Sequence, residues 1–521
     1  MQKAAQRTTF ARFAYKEGTQ AAAITLAFLV LRLLICPFVG LGTNEAYAIA
    51  SGRLMSLSYF DHPPLHFWLA HLGELIFGDN RAARIPFILL GGGTSLLIFG
   101  LTRKLFGARA GVWAVLAFNL SIFFDLVASN WILPDGPLNF FLLAAALTLA
   151  SITAGERLSA PRWALVGLLT GLAAISKYHA IIFAVGVFFY LASKAATRRS
   201  LLTAGPWLAV IVALLVFSPV LIWNADHGWI SFRFQTARAG ASHYFGLALF
   251  LTLLAGQLAL IAPWNVWPLF KGIVASRGER DEADRLLLWL GLPSALFFTI
   301  VPLWSNAGMV HWAMPGWLLL LPLAGKYLAK QSLAHRWPLR WAAVSTGIFL
   351  TLVLFAGFEF QTEWLGARFS TIFRHGNPTA ENAEWTPIVA VLNRDNPADA
   401  KRNFVLTESW RDAAKIDQST GGSFKVAVMT NDPRNFAIGF DKRAWMGRDG
   451  WVALPKSQGR PQAVNITRCF SFIRPDSTVS VARGGRADAV IEFWRGEGFD
   501  PQHCDFTNAQ KTAPSQRAIS R

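Results

Sequence analysis

Apolar runs that are long enough to cross a lipid bilayer recur along the first two thirds of the chain. A transmembrane helix needs roughly 20 mostly apolar residues to span the hydrocarbon core, and eleven runs are about this long or slightly shorter. The predicted membrane helices lie at 20–40, 84–102, 110–127, 138–153, 162–176, 179–193, 205–223, 244–268, 286–303, 312–329 and 340–358. The pattern therefore predicts a membrane all-α domain over residues 1–358, with about eleven transmembrane helices.

Lysine and arginine are concentrated before the first run and in every second connection after it. Examples are Arg103 and Lys104 after the second run, and Lys271 and Arg277 after the eighth. The positive-inside rule makes this side, which carries the N-terminus, cytoplasmic. The formal net charge of +18 follows from this bias and suits contact with anionic lipid, so we expect no nucleic-acid partner. Eleven crossings place the C-terminal tail on the opposite, outer side.

The chain changes character after the last run. Residues 359–521 contain no spanning run, and short apolar segments such as 404–406 and 425–428 alternate with Gly, Asn, Asp and Pro. This alternation predicts a small α/β domain that ends in a polar tail. Cys469 and Cys504 both lie in it, where an oxidising compartment would permit a disulfide, but the sequence leaves their pairing open.

The first outer connection, about residues 41–85, is too long for a simple turn. Within it, apolar residues recur at spacings of three and four between Leu65 and Phe77, which predicts an amphipathic helix lying at the membrane interface. Such a helix would roof a cavity that opens to the outer side.

The outer connections also hold polar residues that are unusual beside a membrane. They include carboxylates, imidazoles and a lysine on the side where cations are scarce. A base to deprotonate an acceptor hydroxyl and cations to hold a leaving phosphate are what sugar transfer from a lipid phosphate needs. The candidate catalytic residues are Glu45, Asp61 and Asp135; the candidate substrate-binding residues are Asn44, Tyr59, His62, Arg81, Arg84, Lys177, Tyr178, Asn224 and His311.

Six short segments, in this order, resemble a known family. They are Asn44-Glu45, the run from Tyr59 to Leu65, 77–86, Pro134-Asp135-Gly136-Pro137, Ser176-Lys177-Tyr178 and 223–229. The chain resembles the C-type fold glycosyltransferases related to protein O-mannosyltransferases and to the bacterial aminoarabinose lipid A transferases. The resemblance implies an inverting transferase in a bacterial inner membrane that takes a sugar from a polyprenyl phosphate. It also implies that the outer face is periplasmic and that the acceptor is lipid A, another envelope glycolipid, a glycan or a protein.

One position departs from this family. The family usually begins the first outer loop with Asp-Glu, whereas this chain has Asn44, whose amide cannot act as a base. Glu45, Asp61 or Asp135 must then supply the carboxylate. We favour Glu45 because it keeps the position in the loop, although a carboxylate there also suits a helix cap.

The resemblance also assigns cations to the donor phosphate. Related aminoarabinose enzymes carry a lysine where this chain has His62, so His62 is interpreted as a phosphate contact that is only partly charged near neutral pH. Lys177 is interpreted as the main phosphate ligand. Arg32, inside the first run, calls for a buried partner that the sequence does not name.

The sequence demands no metal, since it has no cluster with the spacing of a zinc site. A divalent cation such as Mg²⁺ or Mn²⁺ between a carboxylate and the donor phosphate is left open. Two other classes of protein compete with this interpretation. A transporter or flippase would place its ionisable residues near the bilayer midplane, and a membrane-anchored binding protein would act through its outer domain alone.

Overall fold

The structure is a computed structural model, and two compact units divide the chain. It describes residues 2–78, 81–239, 245–277, 281–305, 308–369, 378–394, 404–430, 432–456, 466, 468–483 and 486–504. The membrane unit comprises Met1–Cys36, Ser56–Gly73 and Arg84–Leu354. The sheet unit comprises Pro37–Met55, Glu74–Ala83 and Phe355–Arg521.

Helices dominate the membrane unit. In chain order they are α1 Gln2–Ile35, α2 Thr43–Gly52, α3 Leu65–Phe77, α4 Ile85–Phe106, α5 Ala108–Asn119, α6 Asp135–Leu149, α7 Ala160–Ala174, α8 Ala180–Ala192, α9 Ala195–Arg198, α10 Ala204–Asp226, α11 Ile230–Ala239, α12 Leu247–Ile261, α13 Pro263–Ser276, α14 Glu282–Ile300, α15 Met314–Ala334 and α16 Trp337–Thr362. A π-helix spans Ile122–Val127 between α5 and α6. Of these, α2 belongs to the sheet unit, and α3 and α16 each pass from one unit into the other.

The helical, multi-pass character is confirmed, while the number of crossings remains a prediction. Among the described residues, six helices are long and apolar enough to span a membrane, or eight if each of two sharply bent pairs counts as one span. The predicted run at 244–268 is one of these pairs, because the chain bends by 98° between α12 and α13. At the bend Ala262 adopts φ +80° and Pro263 starts the next helix. As a result Lys271, which was expected in a connection, lies within α13.

Close packing of small residues holds the membrane helices together. A Cβ added at Gly316 of α15 would lie 2.3 Å from the backbone nitrogen of Ala295 in α14. Backbones approach this closely in membrane bundles because apolar surface provides little association energy in lipid, so packing must provide it. The core is built from leucine, alanine and phenylalanine, including Leu286, Leu290 and Leu318.

The sheet unit contains the predicted α/β fold. Its elements are α17 Trp364–Arg368, α18 Val389–Leu392, β1 Phe404–Thr407, α19 Trp410–Ser419, β2 Lys425–Val428, β3 Gly450–Pro455, β4 Phe470–Arg483 and β5 Arg486–Phe499. The described strands form a sheet in the order β2-β1-β3-β5-β4, in which β1 runs parallel to β2 and β3, while β5 runs antiparallel to β3 and β4.

The sheet unit answers one point that the sequence left open. Cys469 and Cys504 form a disulfide, and both lie in the hydrophobic core of this unit. Besides Phe355–Arg521, the unit takes in two parts of the first outer connection, and the domain boundary at residues 358 and 359 stays a prediction. The polar tail, residues 508–521, lies outside the described residues.

Candidate active site

A buried ion pair joins the start of helix α6 to the chain just after the end of helix α7. Lys177 follows α7, and its Nζ donates hydrogen bonds to both carboxylate oxygens of Asp135, at 2.9 and 3.0 Å. Asp135 is the first residue of α6, where a negative side chain suits the free backbone N–H groups. Both side chains are almost fully buried, at 3% and 2% exposure. A buried lysine next to a carboxylate is therefore fixed in place by its partner.

The start of α3 lies beside this pair. The backbone N–H of Leu65 donates to the carbonyl of Ile175 at the end of α7, with a separation of 3.0 Å. This bond brings His66 into the site, where its ring meets that of His62 edge-on at 5.5 Å between centroids. His66 interacts electrostatically with His62, Asp61, Asp135 and Lys177.

Burial governs the protonation of His66. It lowers the pKa of His66 well below the usual value, and the charges of His62 and Lys177 lower this pKa further. Asp61 and Asp135 oppose the shift without cancelling it. His66 is therefore neutral at physiological pH.

A second pair of histidines faces the lysine. The ring of His179 stacks on Phe298 with centroids 4.4 Å apart, and His311 lies parallel to Phe123 at 6.3 Å. His179 interacts electrostatically with Lys177, His311 and His62. His311 also interacts electrostatically with Asp135.

Within the described part of the chain, two of these imidazoles have unsatisfied nitrogens. Nδ1 of His66 and Nε2 of His179 are buried and have no hydrogen-bond partner there. Buried polar atoms are usually paired, so these nitrogens are available to a bound group. The arrangement is suited to an anion or a hydroxyl that enters beside Lys177.

The loop that carries Asp61 is held by α11. Ser231 Oγ donates to the carbonyl of Tyr59 at 2.8 Å, and the Gln235 side-chain amide donates to the carbonyl of Asp61. The backbone N–H of Ser231 donates to Asn224 Oδ1 at 3.2 Å. Asp61 is 1% exposed and Asn224 is fully buried, so this loop is part of the interior.

Tyr178 completes this side of the site. Its hydroxyl lies among Ser58, Ser231 and Asn224, and burial raises the pKa of Tyr178 to about 12 despite the opposing effect of these polar neighbours. Burial likewise raises the pKa of Tyr59 to about 12. Both phenols stay protonated at neutral pH and can donate hydrogen bonds.

The first candidates of the outer loop lie in the sheet unit. Glu45 is buried, and its Oε2 accepts a hydrogen bond from the backbone N–H of Gly42 at 2.8 Å, which caps the start of α2. Asn44 is exposed. The capping role that the sequence allowed for Glu45 is thus present.

The two arginines are engaged in different ways. Arg81, in the sheet unit, donates through Nε to Glu384 Oε1 at 2.6 Å. Arg84, in the membrane unit, is fully buried, and its Nη1 donates to the carbonyl of Cys36 at 3.4 Å.

The structure thus gathers one cluster in the membrane unit, and four candidates, Asn44, Glu45, Arg81 and Arg84, are not among its members. The cluster comprises Asp61, His62, His66, Asp135, Lys177, Tyr178, His179 and His311, with Tyr59 and Asn224 in the supporting loops. Asn44, Glu45 and Arg81 belong to the sheet unit. Sequence reasoning missed His66 and His179; the spacing of four between His62 and His66 at a helix start was the available signal.

The cluster does not fit a divalent cation. The ammonium of Lys177 bonds both oxygens of Asp135, where a dication would need them. Among the described residues, no three His, Cys, Asp or Glu side chains are placed to hold a metal ion.

The chain is similar to known glycosyltransferases in sequence. The sequence profile of the dolichyl-phosphate-mannose-protein mannosyltransferase family matches residues 61–223. The lipid A galacturonosyltransferase RgtD of Rhizobium johnstonii is 25% identical over 403 residues, which cover 72% of this chain and 80% of that protein. The undecaprenyl phosphate-alpha-4-amino-4-deoxy-L-arabinose arabinosyl transferase of Edwardsiella ictaluri is 30% identical over 266 residues, covering 47% of this chain and 46% of that protein.

The fold is shared with a solved member of this group. The structure of ArnT from Cupriavidus metallidurans bound to undecaprenyl phosphate superposes with a TM-score of 0.63, at 15% identity, over 90% of this chain and 97% of that one. The matched profile includes Asp61, Asp135 and Lys177, so these three members of the cluster lie within the matched region, whereas His311 lies beyond it. In sequence and in fold the chain is therefore similar to C-type fold glycosyltransferases that use polyprenyl-phosphate sugars.

Proposed function

We propose that the protein is an inverting glycosyltransferase that moves a sugar from a polyprenyl phosphate to an envelope acceptor at the periplasmic face. The buried Asp135–Lys177 pair, with Asp61 and the imidazole of His66 beside it, carries the proposal. It places a fixed positive charge and a carboxylate in one enclosed cluster. Charge stabilisation of this kind is strongest where water is excluded.

Lys177 holds the leaving phosphate. As the bond from the anomeric carbon to the phosphate oxygen breaks, its electron pair passes to the phosphate, whose growing negative charge the ammonium stabilises. Asp135 orients the lysine through two hydrogen bonds. The unsatisfied nitrogens of His66 and His179 supply further hydrogen bonds to the phosphate or to the sugar.

Asp61 is the base. It belongs to the same unit as Lys177 and interacts with His66 and Tyr178 of the cluster, whereas the carboxylate of Glu45 caps α2. Asp61 takes the proton of the acceptor hydroxyl while the oxygen attacks the anomeric carbon opposite the phosphate. One displacement inverts the configuration at that carbon.

Donor and acceptor follow from the relatives. One relative is named a lipid A galacturonosyltransferase and the other transfers aminoarabinose from undecaprenyl phosphate. Undecaprenyl phosphate is therefore the proposed carrier and lipid A the first acceptor to test. The reaction proceeds without a divalent cation, because Lys177 occupies the position a metal would take beside Asp135.

The membrane topology is part of the proposal. Eleven crossings, with the N-terminus in the cytoplasm of a bacterial cell and the sheet unit in the periplasm, agree with the distribution of lysine and arginine. The donor's long tail then stays in the bilayer while its phosphate reaches the cluster from the periplasmic side.

Purified protein in detergent, mixed with undecaprenyl phosphate sugars and lipid A, tests the function by mass spectrometry of the acceptor. We expect a mass increase of one sugar residue, with the same yield in excess EDTA. Absence of transfer from any donor, together with movement of the labelled donor across proteoliposomes, would instead identify a flippase. Loss of transfer in EDTA that Mg²⁺ or Mn²⁺ restores would contradict the metal-free mechanism.

A further inference from the structure

A second group of buried charges lies in the membrane unit, and the proposed reaction does not use it. Arg32 of α1 and Asp125 of the π-helix are both fully buried. Arg32 Nε donates to Asp125 Oδ1 at 3.0 Å, and Nη2 donates to the same oxygen. The same Nη2 donates to Asn119 Oδ1 at the end of α5, at 2.7 Å. One arginine thus joins three elements.

The hydrogen bonds continue into a fourth element. Asn119 Nδ2 donates to Ser95 Oγ of α4 at 2.8 Å, and the hydroxyls of Ser95 and Thr25 lie 2.8 Å apart. In the described chain, Arg32 Nη1 and Asp125 Oδ2 have no hydrogen-bond partner. They are one donor and one acceptor, which a single buried water can join. We call this set, Thr25, Arg32, Ser95, Asn119 and Asp125, the arginine network.

Such a network is costly inside a membrane domain. Ionisable side chains are rare in transmembrane segments and usually serve a function there. Asp125 also lies in a π-helix, a rare element that is frequent at functional sites. These features indicate that the arginine network holds a functional part of the molecule in place.

The π-helix leads directly to the active-site cluster. Its C-cap, Ala128, donates its N–H to the carbonyl of Phe123 at 2.8 Å. The carbonyl of Ala128 lies against Gly136, where an added Cβ would come within 2.7 Å of it. Gly136 follows Asp135 in the chain, so the end of the π-helix packs on the backbone that carries the carboxylate bonded to Lys177.

We propose that the Arg32–Asp125 pair is a positioning device for the Asp135–Lys177 pair. By fixing the π-helix it fixes Ala128, and through the contact with Gly136 it fixes Asp135. Arg32 and Asp125 are positioning residues and touch no substrate. The kinetic part of this inference rests on the proposed function; the structural part does not.

The test compares variants of the pair with a control ion pair whose carboxylate is equally buried. Arg32→Gln and Asp125→Asn each remove one charge, and Arg32→Asp combined with Asp125→Arg exchanges them. Arg32→Lys is a conservative variant that keeps the charge. The control is Asp284→Asn, because Asp284 is also fully buried and bonds Lys326 Nζ at 2.7 Å in the same unit.

The first measurement is chemical and needs no turnover. Full-length protein is treated with an amine-reactive ester, and modification of Lys177 is read by peptide mass spectrometry. We expect Lys177 modification to rise about tenfold in Arg32→Gln and Asp125→Asn, through local opening. The charge exchange and Arg32→Lys should recover part of the protection, and Asp284→Asn should leave it unchanged.

The second measurement is transfer from an undecaprenyl phosphate sugar. Because a small misplacement of a reacting group costs about 10²-fold in rate, we expect kcat to fall by about that factor in Arg32→Gln, with little change in KM.

Wild-type protein that transfers no sugar overturns the proposed function, while the modification experiment still decides the positioning role. Unchanged Lys177 modification in folded Arg32→Gln and Asp125→Asn, or an equal rise in Asp284→Asn, overturns the inference. If both single variants fail to fold, Arg32→Lys tests the positioning role. The role is contradicted if this variant loses the hydrogen bonds to Asp125 but keeps the wild-type kcat and the wild-type protection of Lys177 from modification.

Discussion

Two carboxylates of the first outer connection have different surroundings, and we assign them different tasks. Glu45 accepts from the Gly42 N–H in a helix cap, whereas Asp61 interacts with His66 and Tyr178 in the cluster that contains Lys177. A carboxylate in a helix cap stabilises the start of the helix by about 1 kcal/mol. A carboxylate beside the phosphate-binding lysine can act on the acceptor.

Substitution of the two carboxylates separates these tasks. We expect Asp61→Asn to lower kcat by about 10²–10⁴-fold, the usual contribution of a general base. Glu45→Gln should keep most of its turnover, because the amide oxygen can still accept from the Gly42 N–H. Initial rates of sugar transfer by folded variants provide the comparison. The reverse ranking would make Glu45 the base and return to the position that the sequence favoured.

The neutral state of His66 predicts a dependence of stability on pH. Since the folded protein holds the pKa of His66 below the unfolded value of about 6.5, the unfolded chain binds an extra proton in acid. The contribution of His66 to the free energy of unfolding is therefore fully present above pH 6.5. It falls by about 1.4 kcal/mol per pH unit below that pH, for one proton.

Melting temperatures between pH 7.5 and pH 5 measure this effect. His66→Gln should lose less stability on acidification than wild type, because it removes the group that takes up the proton. The exposed His335 supplies the control, and His335→Gln should follow wild type. Parallel curves for His66→Gln and wild type would mean that His66 is already protonated in the folded protein.

At the level of elements, the contact between the π-helix and α6 sets the site's geometry. A Cβ at Gly136 would meet the carbonyl of Ala128 at 2.7 Å, a backbone atom that cannot rotate away. We expect Gly136→Ala to destabilise the protein by about 1–3 kcal/mol, as overpacking does, and to slow sugar transfer. Gly347→Ala in α16 is the matched control, since no atom lies within 4 Å of its added Cβ. Equal stability and turnover in both variants would show that this contact is not tight.

The elements differ in how far their sequences define them. The predicted interfacial helix from Leu65 to Phe77 has the bounds of α3, because its apolar spacing is regular. Hydropathy predicts a single span at 244–268, because it carries no information about bends. In the structure the helix breaks at Ala262. The sequence did not indicate a role for His66, because this residue lies in an apolar helix and only the fold places it beside Lys177.

On the scale of the whole molecule, the division into two units was the least predictable feature. Residues of one outer loop are shared between them, with Glu45 in the sheet unit and Asp61 in the membrane unit. The periodicity of apolar residues predicts local structure, and the distribution of lysine and arginine predicts the sides of the membrane. Neither pattern predicts which distant elements pack together. The family, the helical membrane fold and the α/β tail could be recognised because each depends on local patterns. The partner of Arg32 and the disulfide required the fold.

The rate of sugar transfer with both charges of the central ion pair removed is the most direct test of this account. Lys177→Met combined with Asp135→Leu replaces a buried ion pair by apolar side chains, an exchange that folds often tolerate. With an undecaprenyl phosphate sugar as donor, the account predicts that the folded double variant loses at least about 10²-fold in kcat, as removal of an electrostatic contact does. Asp284→Asn, which disrupts another ion pair with a buried carboxylate, should transfer sugar at the wild-type rate. Wild-type turnover in the double variant would contradict the claim that transfer takes place at this pair.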